Sequence, residues 1–213
     1  MSQLIRQSVA VLLFAVVTLG GCAHQSPTEG NANPVRVADT KAALRDLWAG
    51  HIFWIRNVVL DNATNNPAAR DAAEKEVVAN AKQIAGAIAP FYGEGASQKL
   101  FTLLAGHYGA VKEYSEATIA GSKRQQEMAL AHLASNADEI AVFLSGANPN
   151  LPKDTVRGLI AAHGAHHVAQ ITQFQEQDYA HEAETWQAMR QHVYVIADAL
   201  TTALAKQFPG KFA

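Results

Sequence analysis

Histidine side chains can bind metal ions or transfer protons, and three of the nine histidines in this chain recur at one interval. His51, His107 and His163 are 56 residues apart, and they end three similar segments, LWAGH, LLAGH and LIAAH. A second polar series keeps the 56-residue interval, at Asn80, Asn136 and His192. The pattern predicts three diverged copies of one structural unit.

The third copy carries extra groups that suit a metal ion. His163 and His167 are four residues apart, so one face of a helix would present both imidazoles to a single ion. His192 would add a third nitrogen from the next helix, and such a set suits Zn, Cu, Ni or Fe(II). His51 and His107 would join this transition-metal site if the three units close around an axis. If the units stack as an open row, these two histidines lie too far away.

Hydrogen-bonded pairs are the alternative explanation for the same histidines. In a helical hairpin, positions equidistant from the turn lie at the same height. A neutral imidazole and an amide can satisfy each other there, whereas an unpaired buried polar group costs about 1–3 kcal/mol. The expected structural pairs are His51 with Asn80, His107 with Asn136, and His163 with His192.

Six helices must position these residues, and caps, prolines and glycines place their ends. We expect helices over about 39–62, 67–90, 95–120, 122–145, 152–177 and 181–208. The repeated histidines fall within the apolar stripes of these helices, and Trp48, near His51, is expected in the core. The predicted fold is all-α, a six-helix up-and-down bundle built from three hairpin repeats.

The N-terminal stretch predicts export. Residues 1–21 have a short basic start and a continuous apolar run, which is typical of a signal peptide. The segment Leu19–Ala23 resembles the lipobox of bacterial lipoproteins, and it contains the only cysteine, Cys22. The resemblance implies cleavage before Cys22 and its lipidation; an ordinary signal peptide with a chance cysteine is the alternative.

This arrangement gives three expected segments: a signal peptide over 1–21, a lipidated flexible tether over 22–38 and a helical domain over 39–213. A lipid anchor would hold the domain on the cell envelope, facing the periplasm or the exterior. Because Ala23 follows the cysteine in place of Asp, a host with two membranes would direct the protein to the outer one by analogy with other lipoproteins.

Several motifs resemble a family of poorly characterised bacterial helical proteins, over about residues 44–212. The matching segments are LWxxHxxWxR at 47–56, Ala87–Gly93, NADEIAxFLxxANP at 136–149 and QFPxKF at 207–212. The resemblance implies a helical fold and no secure activity. Some members are labelled glycosyltransferases, which nothing in this sequence supports.

The net charge and the absence of several catalytic motifs argue against some classes of function. A formal charge of −2 without a clustered basic face excludes a nucleic-acid footprint. The sequence has no phosphate-binding glycine loop and no serine-elbow motif, and Cys22, as the lipid site, is excluded as a nucleophile. An enzyme would need an open metal position and a nearby base. Metal binding is therefore favoured over catalysis, and a non-catalytic envelope scaffold is the alternative; no protein partner is indicated.

Overall fold

The computed structural model describes residues 31–213, and every regular element in that range is a helix. The long helices are α1 (Pro34–Ala63), α2 (Pro67–Gly86), α4 (Glu94–Ile119), α5 (Lys123–Ala147), α6 (Lys153–Gln175) and α7 (Tyr179–Gln207). A short helix, α3 (Ala89–Tyr92), joins α2 to α4, and a 3₁₀ turn (Pro209–Phe212) ends the chain. The predicted all-α fold is confirmed.

Three turns of identical length join the paired helices. Helices α1, α4 and α6 end at residues 63, 119 and 175, and their partners begin at 67, 123 and 179. Each turn has one residue with positive φ, at Asn65 (54°), Gly121 (65°) and Gln177 (59°). The residue after it then caps the second helix with its side chain: Asn66, Ser122 and Asp178. All of these positions follow the 56-residue interval of the histidines.

The six long helices close into a ring. Each packs against the next in the order α1, α2, α4, α5, α6, α7, and α7 packs against α1. Helices α1, α4 and α6 also contact one another inside this ring. Since these three helices carry His51, His107 and His163, the closed arrangement brings the repeated histidines together in the interior.

The apolar core consists of two clusters with the histidines between them. One cluster includes Trp48, Ile52 and Leu104, and the other, nearer the turns, includes Ile55 and Val111. The buried imidazoles lie at intermediate positions along the same helices. The bundle therefore contains a polar layer enclosed by apolar packing on both sides.

Two helix boundaries differ from the sequence expectation by more than two residues. Helix α1 begins at Pro34, not Asp39, because the Asn33 side chain accepts a hydrogen bond from the Val35 amide and proline occupies the first turn. The Asn33 amide also donates to the Phe212 carbonyl at 2.9 Å, which ties the helix start to the C-terminus. Helix α2 ends at Gly86, and Pro90 lies in the first turn of α3.

The predicted signal peptide (1–21), Cys22 and the tether up to residue 30 lie outside the described residues. Within 31–213, no helix has both the length and the apolar character needed to cross a bilayer.

Candidate metal centre

Three imidazoles meet in the polar layer at the centre of the bundle. His51 comes from α1, and His163 and His167 come from successive turns of α6; each is 1% exposed. One ring nitrogen from each can be chosen so that all three lie within 4.8 Å of one another. The structure thus brings together three of the five histidines that the sequence predicted as ligands.

The spacing of the two α6 nitrogens fits a shared ion. The Nε2 atoms of His163 and His167 are 3.1 Å apart. Two nitrogens bound at about 2.05 Å to one tetrahedral ion would lie roughly 3.3 Å apart. A small inward movement of His51 would complete a three-nitrogen set.

His107 lies beside this cluster, and the lone pair of one of its ring nitrogens is free to bind a ligand. Its ring centroid is 5.4 Å from that of His163 and 6.1 Å from that of His167. The Asn136 amide nitrogen donates to the Leu103 carbonyl at 2.9 Å, so its oxygen is the atom that faces His107 Nδ1, at 3.1 Å. Nδ1 must therefore carry the proton, which leaves Nε2 with a free lone pair.

His192 lies outside the three-histidine cluster, although the sequence placed it among the ligands. Its Nε2 donates to the Leu159 carbonyl at 2.8 Å, and its ring centroid is 6.4 Å from that of His163. Asn80 makes the equivalent bond to the Leu47 carbonyl at 2.9 Å, as Asn136 does to Leu103. The second helix of each hairpin therefore uses its repeated polar residue to bind a backbone carbonyl of the first helix.

Only one of the three predicted polar pairs forms a hydrogen bond. His107 and Asn136 are bonded, whereas no bond joins His51 to Asn80, whose Oδ1 has no partner among residues 31–213. His163 bonds to His167 and not to His192. In the first unit, the asparagine binds the helix backbone and His51 is left for the central cluster.

The centre concentrates buried polar atoms that have no partner within the described part of the chain. These atoms are both ring nitrogens of His51, Asn80 Oδ1, His107 Nε2 and His163 Nδ1. Each unpaired buried group costs about 1–3 kcal/mol, so a core with several of them calls for a ligand that satisfies them. The lone pairs on these imidazole nitrogens are the groups that could hold a cation.

Burial keeps the imidazoles neutral. Loss of solvent, followed by the nearness of His107, lowers the pKa of His51 to about 3. Burial and the neighbouring imidazoles lower the pKa of His163 and of His167 well below 6.5, and burial lowers that of His107 to about 4. Neutral imidazole is the form that coordinates a metal, so near neutral pH no proton has to leave before binding.

Trp48 forms one wall of the centre. Its ring meets His51 and His163 edge-on, with centroid distances of 5.6 and 5.9 Å. The sequence placed Trp48 in the core, and its 4% exposure confirms this. Its contact with two imidazoles depends on α1 and α6 meeting inside the ring, which helical periodicity alone does not show.

Sequence reasoning missed a buried charged network near the turns. Glu182, on α7 and 3% exposed, accepts two hydrogen bonds from the Arg56 guanidinium, each 2.7 Å, and a third from Gln170 at 2.9 Å. The Arg56 guanidinium carbon is also 5.3 Å from the ring centroids of Phe174 and Trp186. This network holds α1, α6 and α7 together.

Comparisons of the chain with protein-family models, with curated proteins and with solved structures found no match. Any inference about the function of this protein therefore rests on its sequence and on the geometry of the centre.

Proposed function

We propose that this protein binds one transition-metal ion in the core of its helical bundle, through His51, His163 and His167. The observation that carries the proposal is the convergence of three fully buried imidazoles whose nitrogens lie within 4.8 Å of one another. His107 Nε2, unpaired within the described residues and adjacent to the cluster, is proposed as the fourth nitrogen.

The donor set favours borderline metals. All the proposed ligands are neutral imidazoles, and the cluster found among residues 31–213 includes no carboxylate or thiolate. Imidazole suits Zn, Cu, Ni and Fe, whereas Mg and Ca prefer oxygen ligands. Four neutral imidazoles would leave the full charge of a divalent ion uncompensated, and that charge is costly to bury in an apolar surrounding. All four nitrogens would therefore be needed to hold it.

Storage, sequestration or sensing fits this centre better than catalysis. A catalytic ion needs an open position and a neighbouring acid or base. Apolar clusters enclose the four imidazoles on both sides, and each of these side chains is at most 3% exposed. An ion held there would be shielded from substrates and exchanged slowly.

The cellular setting is proposed from the sequence. Cleavage and lipidation at Cys22 would anchor the bundle to the cell envelope, where it meets metal ions that enter from outside. Labelling with radioactive palmitate tests this: we expect incorporation into the wild type and none into Cys22→Ala. Incorporation unchanged in Cys22→Ala would contradict the anchor and leave the metal proposal intact.

Metal content tests the main proposal. Tag-free protein is stripped with EDTA, then titrated separately with Zn, Cu, Ni and Fe(II), the last without oxygen, and the bound metal is measured by elemental analysis. We expect one ion per chain, with at least a hundredfold loss of affinity in His163→Ala. His132→Ala is the matched control, because His132 is exposed and, among residues 31–213, bonds only to Glu113. Binding unchanged in His163→Ala would contradict the proposal.

A structural scaffold is the second candidate, and the His107–Asn136 bond favours it. Under this alternative the buried histidines set helix register and bind no ion. It predicts that His163→Ala lowers the melting temperature equally with and without metal. The metal-binding proposal predicts instead that added metal raises the melting temperature of the wild type and leaves that of His163→Ala unchanged.

A further inference from the structure

A second internal feature lies next to the histidine centre. A cavity of about 310 Å³ occupies the end of the bundle away from the three hairpin turns. All seven helices contribute to its walls, with Leu44, Ile84, Phe91, Leu104, Ile140 and Ile160 among the lining residues. The cavity is partly open to solvent, since the lining residues Ala43 and Pro90 are exposed, so a small molecule could enter it.

The side chains that line the cavity indicate what kind of ligand it can bind. The lining side chains are overwhelmingly aliphatic or aromatic, and none of those described carries a charge. The polar lining residues Tyr92 and Asn148 bond to each other at 2.9 Å, and Tyr92 also bonds to Gln207 at 2.7 Å. Since these groups already satisfy one another, the cavity attracts neither ions nor a cluster of waters.

Size gives the approximate length of the ligand. A cavity of about 150 Å³ lined by Leu, Ile and Phe stays dry and binds benzene. The cavity here has roughly twice that volume, so it has room for about twelve carbon atoms. An unfilled apolar void also forfeits dispersion contacts along its walls, and an apolar guest would restore them.

We propose that this cavity binds one uncharged apolar molecule of about twelve carbon atoms, with the chemical character of a medium-length acyl chain. Trp48 lines the cavity, and its buried Nε1 lacks a partner within the described chain. A guest with a hydroxyl, ester or carbonyl oxygen within reach would give this N–H an acceptor. The ligand is therefore apolar along its length and carries one uncharged oxygen.

Trp48 also separates the cavity from the metal centre, because the same ring contacts His51 and His163. The cavity is nevertheless a site of its own, since its walls exist without any ion. Binding there is expected in metal-free protein, so this inference stands or fails separately from the proposed function.

Titration with 1-decanol tests the inference. The experiment uses EDTA-treated protein in a Trp54→Phe/Trp186→Phe background, so that Trp48 is the one remaining tryptophan of the three. We expect saturable binding of one decanol per chain, seen as a shift in Trp48 emission and as heat in calorimetry. Because the protein in this titration is free of metal, decanol binding does not depend on an ion in the histidine centre.

Variants that fill the cavity provide the decisive comparison. Ala199 and Ala87 both line it, and Ala199→Phe or Ala87→Phe should weaken decanol binding at least tenfold. Ala134→Phe makes the same chemical change at an exposed position of α5 and should bind like the parent. Helical circular dichroism identifies which variants fold, and either cavity variant suffices. Absence of saturable binding, or binding unchanged in a folded cavity variant, would overturn the inference.

Discussion

His163 Nε2 and His167 Nε2 lie 3.1 Å apart, one helical turn from each other on α6, and both side chains are 1% exposed. Two neutral imidazoles at this distance share a single hydrogen bond, in which one nitrogen donates and the other accepts. The same separation suits two ligands of one tetrahedral ion. The pair therefore has a hydrogen bond in the absence of an ion, and its spacing is also compatible with a shared one.

Acid should destabilise the metal-free protein through these buried imidazoles. Burial lowers the pKa of His51 from 6.5 to about 3 and that of His107 to about 4. Below pH 6.5 the unfolded chain takes up protons that the folded protein excludes, so stability is full above pH 6.5 and falls as pH drops toward 4. Each such histidine should cost about 1.4 kcal/mol per pH unit, measured by urea unfolding in EDTA at pH 7.5, 6 and 5.

Two substitutions control this experiment. His51→Phe removes one excluded proton, so its unfolding free energy should depend less steeply on pH than that of the wild type. His132→Ala, at an exposed histidine, should leave the slope unchanged. A stability that stays flat between pH 6.5 and 5 would show that the interior imidazoles are reached by water and protons.

The two repeated asparagines should differ in their contribution to stability. Asn136 bonds both the Leu103 carbonyl and His107, whereas Asn80 bonds only the Leu47 carbonyl within the described part of the chain. Asn136→Ala should therefore lower the unfolding free energy by about 2–3 kcal/mol and Asn80→Ala by about 1 kcal/mol less. Urea unfolding of metal-free protein measures both, and equal losses would contradict the assigned hydrogen bonds.

Glycine at one helical position protects the asparagine bond. A Cβ built on Gly106 would lie 3.2 Å from Asn136 Nδ2, which is held by Leu103, whereas a Cβ on Gly109 in the same helix meets nothing within 4 Å. Alanine normally stabilises a helix by about 1 kcal/mol relative to glycine. Gly109→Ala should show that gain, and Gly106→Ala should be at least about 1 kcal/mol less stable than it.

Melting curves of the two glycine variants provide the measurement. The third unit offers a natural counterpart, since it carries Ala162 at the equivalent position together with His192 in place of asparagine. Gly106→Ala as stable as Gly109→Ala would mean that the Asn136 side chain moves aside without cost.

The buried ion pair should depend on both partners. Arg56→Met leaves the buried Glu182 carboxylate with Gln170 as its one remaining partner among residues 31–213, and should cost about 3–5 kcal/mol. Adding Glu182→Gln removes the stranded charge and should restore about 2 kcal/mol. Arg157→Met, which breaks an exposed pair with Asp138, is the control and should cost less than about 1 kcal/mol. Denaturant unfolding measures the loss of unfolding free energy in each single variant and in the double variant. A double-variant loss equal to the sum of the two single losses would contradict this coupling.

The fold followed from the sequence because its signals are local. Caps such as Asn66–Pro67 and the 56-residue interval placed six helices within a few residues of their observed bounds. The start of α1 was missed because Asn33–Pro34, the same type of cap, lies in a segment whose composition resembles a linker. At this position the capping residues indicate the start of the helix, and the linker-like composition does not.

The sequence predicted that histidines form the site, but it did not predict correctly which histidines lie in the central cluster. Spacing placed His163 and His167 on one face, but whether His51 joins them depends on α7 closing against α1, a long-range contact that no local pattern encodes. His192 was assigned to the metal because its ring nitrogen suits an ion. In the structure that nitrogen replaces the asparagine amide as a donor to a backbone carbonyl.

X-ray absorption spectroscopy of the zinc-loaded protein tests the central claim most directly, because it reports the atoms bound to the ion. We expect three or four nitrogen neighbours at about 2.0–2.1 Å with the outer-shell scattering of imidazole rings, and one fewer imidazole in His51→Ala. A spectrum dominated by oxygen ligands, or one unchanged by both His51→Ala and His163→Ala, would contradict a metal centre at these histidines.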